Sequence, residues 1–140
     1  MKILIPVDGS AHSTRAARFL LRRWSEASTP PDITLVHVDA PLNAHISGYL
    51  DPVAVTQFHA HNGTMAMRPV RRLLASAGHI HDERMLVGDA AEEIVRLAAK
   101  GRFDLVAMGS HGRGAVGSVF LGSVVLKVLS HSKIPVLVVR

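Results

Sequence analysis

Short apolar runs alternate along the chain with stretches in which apolar residues recur every three or four positions. Ile3-Leu4-Ile5-Pro6-Val7 predicts a first strand, followed by a helix from about Ser13 to Ser25. In that helix Ala17, Leu20, Leu21 and Trp24 share one face and the arginines take the other. Thr29-Pro30-Pro31-Asp32 is a connector, and Ile33 to Val38, rich in β-branched residues, predicts a second strand. Asp39 to Asp51 holds Pro41, Asn43 and Gly48 and is expected to be a surface loop. A long, imperfect helical pattern covers Val53 to Ala77, where Pro69, lacking an amide donor, is expected to kink or restart the helix. Gly78 ends it, and Arg84 to Val87 predicts a third strand. Asp89 is placed to cap a helix over Ala90–Lys100, with Ile94, Leu97 and Ala98 facing inward. Phe103 to Met108 predicts the fourth strand, Val124 to Leu129 falls in the last helix, and Pro135 to Val139 closes the chain as a fifth strand.

Strands that are apolar almost throughout, alternating with helices, imply a parallel sheet covered on both faces. The expected architecture is a single-domain, Rossmann-like α/β sandwich over residues 1–140, with a five-stranded sheet in the order 3-2-1-4-5. Ligands of such sheets bind beyond the carboxyl ends of the strands, at the point where the winding reverses. In that order the ends of the first and fourth strands, at Asp8 and Gly109, are neighbours at the switch.

Composition narrows the function. No uninterrupted apolar stretch approaches the roughly 20 residues of a membrane helix, and the start of the chain turns polar too quickly for a secretory signal. With no cysteine there is neither a disulfide framework nor thiolate chemistry, so a cytoplasmic protein is expected. The net charge of +5 suits attraction of polyanions. Its basic residues are scattered, and 4% aromatics supply no stacking platform, so direct nucleic-acid binding is disfavoured.

The candidate chemistry lies after the fourth strand, where the chain reads Gly-Ser-His-Gly-Arg-Gly-Ala-Val-Gly-Ser-Val-Phe-Leu-Gly-Ser from Gly109 to Ser123 and then enters the last helix. Glycines admit close approach of backbone N–H groups to an anion, and a helix N-terminus adds unpaired donors and partial positive charge. A nucleotide-binding module is therefore the leading reading. Gly112 to Gly117 matches G-x-G-x-x-G, but it follows the wrong strand, and Ser130 to Ile134 offers no acidic residue for a ribose; a dinucleotide site is rejected. No G-x-x-x-x-G-K-[ST] loop is present, so no lysine stands ready for a leaving phosphate. Ser110 and His111 are adjacent but lack an evident third orienting group, and no catalytic residue is assigned. Of the nine histidines, His59 and His61 fall in a predicted helix, where residues two apart diverge; His79 and His81 flank a strand entry, and no metal ligand is assigned to either pair.

Gly109, Gly112, Gly122 and Ser123 also fit the spacing G-x2-G-x9-G-[ST]. With the opening Ile3 to Asp8, the segment Leu35-Val36-His37-Val38 and the closing Ile134 to Val139, this pattern resembles the universal stress protein family along nearly the whole chain, least between Pro41 and His81. The complete glycine pattern resembles its ATP-binding branch. The resemblance implies a stress-response protein regulated by ATP or another adenine nucleotide, with Mg²⁺ on the phosphates. It implies adenine near Pro6, Val7 and the backbone of Val38, and ribose hydroxyls on Asp8. Phosphates would lie on the backbone of Gly109, Gly112 and Gly122, with the Ser123 hydroxyl and the Val124 amide. Met108 and His111 match positions near the nucleotide, and Arg113 is either a phosphate partner or an exposed loop residue. Helix capping is the alternative role for Asp8. Relatives that pair through the last strand imply a homodimer, consistent with a β-branched edge strand, and a regulatory role implies an unknown protein partner. A dedicated enzyme is not expected; slow ATP hydrolysis and a nucleotide-free interaction module are the alternatives.

Overall fold

The computed structural model describes residues 1–24, 29–112 and 121–140. It runs β1 (Lys2–Pro6), α1 (Ala11–Trp24), β2 (Asp32–Asp39), α2 (Ala44–Ser47), α3 (Pro52–Ser76), β3 (His81–Val87), α4 (Ala90–Lys100), β4 (Leu105–Gly109), α5 (Ser123–His131) and β5 (Val136–Val139). The five strands form one sheet in the order β3-β2-β1-β4-β5, every pair parallel, as the sequence predicts.

Alternation along the strands splits the core between the two faces. Ile3, Ile5, Ile33 and Leu35 pack with Ala17 and Leu20 of α1 and with Met67, Val70 and Leu74 of α3. Leu4, Val36, Val106 and Met108 face the other way, onto Ala91, Ile94 and Ala98 of α4 and Val125 and Val128 of α5. The chain therefore leaves β1 for one face and β4 for the other, although the two strands are neighbours in the sheet. That divergence opens the carboxyl ends of β1 and β4.

Two expectations change. Asp39 to Asp51 is not all loop: Asn43 accepts the His45 N–H at 3.0 Å and starts the single turn of α2, which stops at Gly48. The helical pattern from Val53 to Ala77 forms one helix, α3, with Pro69 inside it. The helix does not restart at Pro69, whose missing amide leaves the Met65 carbonyl without its helical donor. Elsewhere local chemistry does what its residues dictate: Asp89 accepts the Ala91 and Glu92 N–H groups at 3.0 and 3.1 Å, and Asp51 with Pro52 starts α3.

Candidate functional site

The site is built from the ends of β1, β2 and β4 and the first turns of α1, α4 and α5. After β1 the chain turns sharply at Gly9, whose φ of 81° is one that side chains disfavour. Asp8 accepts the Ser10 N–H at 3.0 Å, and Ser10 in turn accepts the Ser13 N–H at 3.2 Å as the cap of α1. Capping thus falls to Ser10, while Asp8 forms the turn before it.

Val7 is held by both its backbone groups. Its N–H donates to the Val36 carbonyl at 2.8 Å, and its carbonyl accepts from Nδ1 of the buried His37 at 2.9 Å. A carbonyl only accepts, so the His37 proton is on Nδ1. Next along β2, Asp39 accepts from His59 at 2.7 Å and from Asn62 at 2.8 Å, which ties α3 to the strand end. Burial acts to raise the Asp39 carboxyl, but these hydrogen bonds and the neighbouring imidazoles outweigh it and hold the group below its ordinary value.

Across the switch, β4 ends against α1 so tightly that a Cβ on Gly109 would lie 2.4 Å from the His12 carbonyl carbon. A Cβ on Gly112 would lie 2.8 Å from Oδ2 of Asp8. These glycines allow the β4 loop to close on the β1 turn. Gly122 is different: a Cβ there would meet His111 Cα at 3.4 Å and the Ser110 oxygen at 3.5 Å, which is ordinary contact. The Gly122 N–H donates to the Ser110 carbonyl at 2.9 Å and so anchors the start of α5 to the end of β4. Among the described residues, no side chain caps α5. The amides offered by this terminus are those of its first turn, at Ser123, Val124 and Val125.

These elements enclose a cleft of about 420 Å³, within the range of small-molecule sites. Pro6, Val7, Asp8, Val38, Met108, Gly109, His111, Gly112, Gly122, Ser123 and Val124 all line it, so the structure brings together every anticipated residue that it describes. Arg113 lies outside the described residues. The lining also includes Ser13, Val36, Ala90, Ile94 and Val125, which the sequence reading missed. Val36 had a signal, since it shares a sheet face with Val38. Ala90 and Ile94 had none, because α4 reaches the cleft only through its packing on the sheet.

A larger groove of about 800 Å³, lined by Leu20, Trp24, Pro31, Ile33 and Leu73 among others, lies at the opposite end of the sheet. There α1 and α3 present their C-termini, whose partial negative charge disfavours an anion. Arg18 and Arg22 also line this groove and set positive charge against that effect.

The model of the universal stress protein family matches residues 1–140. The chain belongs to the universal stress protein family. It is 33% identical over 141 residues to a universal stress protein of Methanocaldococcus jannaschii, covering 99% of this chain and 81% of that one. A universal stress protein of Thermus aquaticus is 32% identical over 139 residues, covering 99% and 97%. A solved structure of another Methanocaldococcus jannaschii protein superposes with a TM-score of 0.82 at 27% identity, over 99% of this chain and 94% of that one. More distant universal stress protein structures share the fold, among them proteins crystallised with cAMP, with AMP and with dAMP. As for the remaining histidine pairs, His59 is bonded to Asp39, and His81 lies 3.1 Å from Glu83. No helix among the described residues is long and apolar enough to cross a membrane.

Proposed function

We propose that this chain is an ATP-binding regulatory protein of the stress response, working in the cytoplasm as one domain over residues 1–140. The observation that carries the proposal is the N-terminus of α5, without a side-chain cap among the described residues, opening into a cleft at the switch between β1 and β4. Nucleotide-bound members of the family with the same fold support an adenine nucleotide as the ligand to test.

In this reading the adenine sits among Pro6, Val7 and Val38, and the ribose hydroxyls donate to Asp8, an acceptor-only group. The phosphates meet the first-turn amides of α5, the Ser123 hydroxyl and the backbone around Gly109 and Gly112, with Met108, His111 and Arg113 around them. Mg²⁺ would be held by phosphate oxygens and water, supplying charge neutralisation. Between β2 and α3 the chain exposes Ile46, Tyr49 and Leu50, and α3 begins with the exposed Val53, apolar side chains suited to the protein partner that reads occupancy. The half-buried edge strand β5 is the surface through which two copies pair, and sedimentation equilibrium tests it: a monomer at all accessible concentrations rejects the homodimer.

Calorimetric titration with ATP tests the site. Gly122→Val is expected to fold, because the added Cβ meets Ser110 and His111 at ordinary contact distance, and to lose ATP binding, because its methyl groups would occupy the mouth of the helix terminus. Micromolar binding retained by the variant overturns the assignment of the phosphates to this terminus.

A further inference from the structure

His12 was not among the anticipated binding residues and does not itself line the cleft, but it lies directly behind the lining residues Gly109 and His111. It occupies the first turn of α1, and its Cβ is 2.7 Å from where a Cβ on Gly109 would be. Its ring faces that of the cleft-lining His111, with centroids 5.2 Å apart and planes inclined at 56°. Nδ1 of His12 lies 2.6 Å from Nη2 of Arg15. A guanidinium only donates, so this nitrogen is unprotonated and the ring is neutral, with its proton on Nε2. Nδ1 of His111 is 3.0 Å from the Ser110 hydroxyl.

The charges that act on His12 come from three elements. Burial is the largest influence holding the imidazole below its ordinary 6.5, followed by Arg15 on α1 and His111 in the β4 loop; Asp8 in the β1 turn opposes them. The strands β4 and β5, which pack beside α1, contain no ionisable residue, and α3 shares the core with α1 through Met67, Val70 and Leu74. In the ligand-free protein the surroundings of this imidazole therefore disfavour a proton near neutral pH. A polyphosphate beside His111 would add negative charge that opposes the influence of Arg15 and His111.

We propose that His12 takes up a proton from the buffer when a nucleoside polyphosphate enters the cleft, and that the His12–His111 pair thereby selects for phosphate charge over the bare nucleoside. This rests on the reading of the cleft as an adenine-nucleotide site. The balance is simple: the buffer acid loses a proton, Nδ1 of His12 gains it, and the exposed Arg15 guanidinium turns away from that nitrogen toward solvent or the anion. His12 is a positioning and selectivity residue here, acting through its charge and its contact with His111.

Calorimetry of the full chain with Mg²⁺-saturated ATP, in buffers of differing ionisation enthalpy, counts the protons taken up. At about pH 7.5 the Mg²⁺-bound triphosphate is fully ionised, so uptake belongs to the protein. The expected result is uptake of about half to one proton with ATP and none with adenosine. ATP affinity should rise as pH falls from about 8 to about 6, by at most about tenfold per unit, as linkage to one proton requires. His12→Asn should abolish the uptake, and ring-proton NMR of the unsubstituted chain should show His12 becoming protonated on adding ATP. ATP binding without uptake, uptake unchanged in His12→Asn, or a His12 ring that stays neutral in the complex each overturns this proposal while leaving the nucleotide site standing. Failure of ATP to bind at any pH overturns the nucleotide reading itself.

Discussion

Gly109→Ala isolates what the first glycine of the motif does. A methyl there would lie 2.4 Å from the carbonyl carbon, 2.6 Å from the carbonyl oxygen and 2.7 Å from the Cβ of His12. The first two are backbone atoms of α1, so no side-chain rotation relieves the clash; α1 must lift from β4 as a unit. Overpacking of this kind costs about 1–3 kcal/mol, which for a domain of this size lowers Tm by roughly 3–4 °C per kcal/mol. The expectation is a loss of about 3–12 °C in thermal unfolding followed by far-UV circular dichroism, with a lower urea midpoint. Gly122→Ala is the control: its methyl meets none of the described residues closer than 3.4 Å, so its stability should stay within about 0.5 kcal/mol of the parent. Equal stability of Gly109→Ala and the parent would refute the reasoning, and would mean that α1 does not bear on β4 as described.

His37→Phe removes the donor to the Val7 carbonyl and leaves a buried acceptor unmet, so a loss of about 1–3 kcal/mol in urea unfolding is expected; an unchanged midpoint would contradict that role. Leu74→Ala, at a fully buried position between α3 and the sheet, should cost about 2–5 kcal/mol by the same measurement. Glu83 receives two 2.7 Å hydrogen bonds from Arg71, which with His81 hold its carboxyl below the ordinary 4.5 against the opposing effect of burial. A carboxyl lowered in the folded state stabilises fully above its unfolded value, so this contribution should fade as pH falls through 4.5, and Glu83→Gln should flatten that part of the stability profile. Parallel profiles for the parent and Glu83→Gln would reject it.

What could be read from the chain alone followed from periodicity and end signals. The alternation of Ile3, Leu4 and Ile5 between faces, the capping of α4 by Asp89 and the glycine spacing after β4 are local, and local physics decided them. The α2 turn was also legible, because Asn43 before it and Gly48 after it are cap residues, but a stretch with so many turn formers reads as loop. Pro69 shows the opposite case. Its intrinsic effect is large, yet α3 continues through it with Met67, Val70 and Leu74 packed on the sheet, a tertiary contribution. The same limit applies to His12: nothing in its neighbourhood along the chain marks it, and only the docking of α1 on β4 brings it to His111.

The glycine motif therefore combines two physical requirements that the spacing alone does not separate. Gly109 and Gly112 are small because protein must approach protein: the sheet end against α1, and the loop against Asp8. A Cβ on Gly122 would meet the described residues only at ordinary contact distance, and its own N–H is already committed to Ser110. A side chain there is compatible with the fold, so the requirement at that position points outward, toward whatever occupies the helix terminus. The two classes of substitution should accordingly part company, the first lowering stability and the second lowering affinity. Affinity lost at Gly122 with stability intact is the pattern a phosphate cradle produces and a merely compact turn does not.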